Sequence, residues 1–186
     1  DFCEGKQQIK FNPNDSERDW GAEPLPYDMI RSGFVMPDEI IHLPREARAF
    51  FERYAEDSQE MVPTAVRVGD MDITYGLGGA HYAVKGYNGT DIVHVDVNSM
   101  YPNIMITYGL LSRAVKSPHV FTEWVEQRLK AKAQGDTDKA EELKLKINSV
   151  YGLMKSKTSP LYDPYYASSI AAKRQVLITI LSMGLA

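Results

Sequence analysis

Residues 137–154 read TDKAEELKLKINSVYGLM, and the run Lys144-Leu-Lys-Ile-Asn148-Ser149-Val-Tyr151-Gly152 within them decides how the rest of the chain is understood. Ala140, Leu143, Ile147, Val150 and Met154 step by three and four, which predicts a helix with one apolar stripe. Lys144, Asn148 and Tyr151 step by four and three, so they form a polar ridge beside that stripe. Asn, Ser, Val, Tyr and Gly in succession are poor helix formers, and inside an otherwise strong helix they cost about 2 kcal/mol in propensity. Local preference that yields to another requirement is a mark of a functional segment. The same residues also read as a helix end, with Gly152 as its C-cap and Lys144 as a solvated charge.

A preceding helix is predicted from Phe121 to about Ala133, and Gln134-Gly135-Asp136 joins the two into an antiparallel helical hairpin. Arg128 and Lys132 lie one turn apart on it and can face the side of Lys144, which would set three cations around one anion. A solvated basic face is the alternative, in which such pairs contribute only about 0.2–0.5 kcal/mol. Beyond the hairpin, Asp163-Pro164 supplies a cap and a first residue for a helix to about Met183, where Ala167, Ser168, Ser169, Ala171 and Ala172 allow close packing.

Upstream, apolar and polar residues alternate from Met71, and Asn88-Gly89 between 81–87 and 90–97 predicts a β-hairpin. In its second strand Val93, Val95 and Val97 share one face, and Asp96 ends a strand that is otherwise apolar. The run Asp96-Val97-Asn98-Ser99-Met100-Tyr101-Pro102 then joins a carboxylate to a turn and a short helix over Ile104 to Tyr108. A carboxylate beside free backbone N–H groups can hold a divalent cation while those groups receive an anionic ligand; the alternative is that Asp96 caps the turn. Gly76, Gly78 and Gly79 mark a bulge or tight strand exit, because no Gly-Lys-Ser/Thr follows them. A packing helix is predicted from Pro44 to about Ala55, carrying Ala47, Phe50, Phe51 and Tyr54 at helical spacing, after some 40 residues of irregular character.

The 186 residues, 44% hydrophobic, suffice for one globular core or a large part of a bigger one. A single cysteine, Cys3, excludes an intrachain disulfide framework and fits a reducing cytosol. No run is long and apolar enough for a membrane span, and the start lacks both a secretion signal and a methionine, as expected of a chain cut from something longer. The net charge of −4 hides an asymmetry: residues 1–70 hold 15 acidic against 8 basic side chains, whereas residues 113–186 hold 7 against 12. That basic C-terminal part permits a phosphate-binding face.

Asp96-Val-Asn-Ser-Met-Tyr101-Pro resembles motif A of family B DNA polymerases, Asp, two variable residues, then Ser-Leu-Tyr-Pro. Lys144 through Gly152 resembles their motif B, Lys-x3-Asn-Ser-x-Tyr-Gly, and the compact hairpin with the Gly76 to Ala80 stretch looks closest to phage-type or prophage-type members. Within the matched region, roughly 73–183, Met100 replaces the usual Leu, a volume-conserving change. The resemblance implies an α+β fold: a partial polymerase palm, with an antiparallel sheet bearing Asp96, packing helices and a two-helix fingers hairpin. The expected parts are a connecting segment over 1–70, palm over 71–118, fingers over 119–155 and a second palm part over 156–186. It further implies that Asp96 and the Val97 carbonyl ligate magnesium and that amides near Ser99 and Met100 hold a deoxynucleoside triphosphate. Tyr101 would lie under the sugar and exclude a 2′-hydroxyl, while Arg128, Lys132 and Lys144 neutralise the phosphates. Asn148 and Tyr151 would line the base-pair pocket, and Gly152 would let the template strand approach. The implied partners are primer–template DNA and the remaining palm and thumb, with no membrane.

Two-ion nucleotidyl transfer needs a second carboxylate, which this family carries in a Tyr-x-Asp-Thr-Asp motif C. No such motif follows motif B before Ala186, and Gly135-Asp136-Thr137-Asp138 precedes motif B, in the hairpin turn, without a leading strand. The chain alone is therefore expected to be inactive, and no proofreading exonuclease is expected, since no Asp-x-Glu stands in a strand context. Two alternatives remain: a remnant that binds nucleotide or nucleic acid without catalysis, and an unrelated α/β domain. The unrelated domain requires Asp96 and the ridge at 144, 148 and 151 to lie far apart.

Overall fold

A computed structural model describes residues 22–56, 62–86, 88–91 and 93–185. They form α1 (Tyr27–Arg31), a 3-10 turn (Asp38–His42), α2 (Arg45–Glu56), β1 (Thr64–Val68), β2 (Met71–Tyr75), β3 (Ala80–His81), α3 (Met100–Thr107), α4 (His119–Ala133), α5 (Thr137–Lys155) and α6 (Pro164–Leu185). The fold is mixed: helices around a small antiparallel sheet in the order β1-β2-β3.

α6 holds the parts together. From Ala167 to Lys173 every residue is buried, which a helix achieves only when elements cover all its sides and its side chains are small enough to let them approach. Ala167 and Ile170 pack into a helical core with Ile104, Met105, Phe121, Leu143, Ile147 and Met154. Ala172 and Val176 pack into a second core with Phe50, Phe51, Val68, Ile73 and Tyr75, where α2 covers one face of the sheet. The buried Ser169 hydroxyl accepts from the Val35 amide at 2.8 Å and donates to the Tyr165 carbonyl at 2.8 Å, so the segment before α2 is tied to the same helix.

The start of α6 is fixed by a buried ion pair. Asp163 is fully buried, and Arg113 reaches it through two guanidinium nitrogens at 2.9 Å each and through its backbone amide at 3.1 Å. The guanidinium lies 4.6 Å from the Tyr166 ring centroid, and a Cβ at Gly33 would stand 2.1 Å from one of its nitrogens, so only glycine admits this approach.

The helical hairpin follows the sequence closely. Ala140, Leu143, Ile147, Val150 and Met154 are all buried. Gly135 has φ +74°, the Asp136 amide reaches the Ala131 carbonyl, and the Asp136 carboxylate accepts from the Lys139 amide at 3.1 Å. One helix thus closes on a left-handed glycine and the next opens on an acidic cap.

The sheet departs from expectation. It begins one strand earlier than the alternation from Met71 suggests, since β1 pairs with β2 in register from Thr64 opposite Tyr75 to Val68 opposite Met71. The Gly76–Gly79 stretch is the tight exit expected, closed by the Gly76 amide on the Gly79 carbonyl at 3.0 Å. The Asn88-Gly89 hairpin is not formed: among the described residues 82–99 none is in a strand, so Asp96 does not sit on the sheet; Tyr87 and Ile92 lie outside the described residues. Val93, Val95 and Val97 are 86%, 59% and 40% exposed. An alternating strand is stable only when another surface covers its apolar face and a neighbour pairs its backbone, and the described residues supply neither.

Asp163→Ala should lower unfolding free energy by about 3–5 kcal/mol in urea titrations, because it leaves Arg113 unpaired at a site from which water is largely excluded. Gly33→Ala should act in the same direction, to a smaller extent. A second tie joins Glu39 to the largely buried Lys173 ammonium and to the Tyr108 hydroxyl at 3.3 Å. Burial opposes ionisation of Glu39, but Lys173 outweighs it and holds the carboxyl below its ordinary 4.5. That stability is present above the ordinary value and is lost as pH falls through the lowered one. Acid unfolding curves of Glu39→Gln should therefore lose part of their slope below about pH 4.5.

Candidate functional site

The hairpin brings three cations to one place. Arg128 and Lys132 of α4 and Lys144 of α5 line a cleft of about 340 Å³ with Gly135, Thr137, Ala140 and Glu141. Antiparallel packing sets Lys144 opposite the Arg128 to Lys132 turn because the apolar stripe of α5 fixes its rotation. Lys144 donates to the two oxygens of Glu141 at 3.1 and 3.0 Å, so the cleft carries three positive charges and one negative one. Excess positive charge in a concave site is suited to a polyanion.

Arg128 also reaches the second constellation, donating to Ser99 Oγ at 2.8 Å, while its Nε is buried without a hydrogen-bond partner among the described residues. Ser99 has φ +50°, the single non-glycine residue with positive φ among those described, a conformation that costs about 1–2 kcal/mol. Its carbonyl accepts from the Asn103 amide at 3.0 Å and Asn103 Nδ2 donates to the Asn98 carbonyl at 2.9 Å, which locks the turn before α3. The amides of Met100 and Tyr101 lead the helix and have no acceptor within it, the arrangement that receives anions.

Asp96 is exposed and, among the described residues, makes no hydrogen bond or ion pair, so it does not cap the turn. Its carboxylate and the Val97 carbonyl are uncommitted hard oxygen donors, the ligand type that a hard divalent cation takes. Among the described residues no group of three or more His, Cys, Asp or Glu gathers to hold a metal.

Tyr101 and Tyr151 join the two segments, with ring centroids 4.6 Å apart. Burial pushes the Tyr151 hydroxyl well above its ordinary value, and the neighbouring Tyr101 and Tyr54 add to the effect. That hydroxyl is buried without a partner among the described residues. Tyr54, whose hydroxyl donates to the Leu77 carbonyl at 2.9 Å, is itself pushed up to about 12 by burial. Lys155 lies over the Tyr151 ring at 4.8 Å. Asn148 is exposed one turn before Tyr151 on the same ridge.

Gly152 is not a C-cap: α5 continues to Lys155, and a Cβ at 152 would meet nothing within 4 Å. The chain's own packing does not require glycine there.

Arg128, Lys132 and Lys144 thus share one cleft, and Ser99, Tyr101, Arg128 and Tyr151 are linked by contacts. Asp96 touches none of them. Asp136 of the Gly135-Asp136-Thr137-Asp138 run caps α5. Two participants escape the sequence reading. Glu141 has a local signal, an acid three residues before Lys144, whereas Arg174, which donates to the Tyr101 hydroxyl at 2.7 Å across 73 residues, has none. Compared with known protein families, curated proteins and solved structures, the chain finds no match. Among the described residues no helix is long and apolar enough to cross a membrane.

Gly152→Ala should raise helix stability by about 0.5–1 kcal/mol in thermal melts, since a methyl group there meets open space.

Proposed function

We propose that this chain is part of the nucleotidyl-transfer core of a family B DNA polymerase, holding the incoming deoxynucleotide and one metal-ligating carboxylate. The observation that carries the reading is the contact between the two motif-like segments, Tyr101 against Tyr151, beside a cleft with three cations whose Arg128 also reaches Ser99. Two segments some 50 residues apart resemble motifs A and B, and they meet through side chains to which that resemblance gives a role.

In this reading Arg128, Lys132 and Lys144 neutralise the triphosphate, and the amides of Met100 and Tyr101 donate to its oxygens. The Tyr101 ring underlies the sugar, and Asn148, Tyr151 and Gly152 face the base pair and template. Magnesium, held by Asp96 and the Val97 carbonyl, would supply charge neutralisation for an in-line attack by a primer 3′-hydroxyl. The second carboxylate of the two-ion centre would come from the rest of the palm. The setting is the cytoplasm of a bacterial or phage-infected cell.

A second reading is a module that binds nucleotide or nucleic acid without catalysis, which the cationic cleft between α4 and α5 would serve without Asp96. Fluorescent Mg·dATP titrations test the shared part. Arg128→Ala and Lys144→Ala should each weaken binding about tenfold or more, as for lost charge-assisted hydrogen bonds, whereas Lys130→Ala, an equal charge change outside the cleft, should not. Equal losses at all three positions would reduce the effect to general electrostatics and sink the site. Primer extension by the chain joined to the rest of its palm, lost on Asp96→Ala, separates the polymerase from the binding module.

A further inference from the structure

The hydroxyl of Tyr101 is held from α6, 73 residues along the chain. Arg174 Nη1 donates to it at 2.7 Å and to the Gly78 carbonyl at 2.8 Å, and the guanidinium carbon lies 5.2 Å from the Tyr101 ring centroid. Both hydrogen bonds that Arg174 makes among the described residues go to neutral oxygens. Its neighbours Lys173 and Gln175 are 5% and 1% exposed, so the backbone that carries it cannot shift without opening the core. Tyr101 is therefore constrained at three points: its own helix, the Tyr151 ring at 4.6 Å, and Arg174.

From this geometry we infer that Arg174 is a positioning residue which fixes the Tyr101 ring and so sets discrimination between deoxyribose and ribose at the bound nucleotide. The inference rests on the nucleotide-site reading above. A ring that can swing aside admits a 2′-hydroxyl, whereas a ring pinned at its hydroxyl and along one face excludes it by overlap. The pin also ties the β2–β3 glycine turn to the sugar side of the site, through the Gly78 carbonyl.

Equilibrium binding of Mg·dATP and Mg·ATP to the whole chain tests this. Wild type should prefer dATP by about tenfold or more, and Arg174→Ala should narrow the preference to about threefold or less, chiefly by admitting ATP. Arg174→Lys, which keeps the charge but loses the fork, should fall between them, and it serves as the test if Arg174→Ala does not fold. In a Tyr101→Ala background, loss of Arg174 should change the ratio no further, the signature of action through Tyr101. An unchanged ratio in a folded Arg174 variant, even with both affinities lowered, would overturn the inference and leave the nucleotide site standing. Equal binding of the two nucleotides by wild type would overturn it as well, while failure of wild type to bind dATP would remove the nucleotide reading itself.

Discussion

Complete burial of the middle of α6 is the constraint on which the structure depends. Ala167, Ser168, Ser169, Ala171 and Ala172 present so little side chain that helices approach from one side and the sheet with α2 from another. Neither core closes without this helix, and its start is held by the forked contact of Arg113 with the fully buried Asp163 carboxylate. Such a pair adds little net stability when formed, yet it costs several kcal/mol to break, so it acts as a register lock on α6.

The candidate site inherits its geometry from that lock. α6 packs against both α3 and α5, which lets Tyr101 of one meet Tyr151 of the other and lets Arg174 of α6 itself reach the Tyr101 hydroxyl. Several features there run against local stability. Ser99 holds a left-handed conformation, Arg128 Nε and the Tyr151 hydroxyl are buried without partners among the described residues, and Gly152 occupies a helical position that alanine would fill at no steric penalty. Unfavourable local choices of this kind are the pattern expected at a functional site.

The helical parts were legible because helix periodicity is local. The stripe from Ala140 to Met154, the Gly135-Asp136 turn and the Asp163-Pro164 start carry their own signals, and each forms as read. The convergence of Arg128, Lys132 and Lys144 was also legible, since a hairpin fixes which faces meet. The segment 93–97 was not: its alternation is that of a strand, but a strand depends on a neighbour, and no local pattern reports whether one is present. For the same reason Asp96 was expected at the end of a strand and stands exposed instead. Arg174 was invisible because its partners lie 73 and 96 residues away. The N-terminal irregular character falls mostly outside the described residues.

The central claim is that the turn at 98–101 and the cleft between α4 and α5 form one polyphosphate site. Backbone amide NMR spectra of the chain titrated with Mg·dATP test it most directly. The account predicts saturable shifts clustered at Ser99, Met100 and Tyr101 together with Arg128, Lys132 and Lys144, all following a single binding curve. Shifts confined to one of the two segments, separate curves for each, or none at either would contradict it.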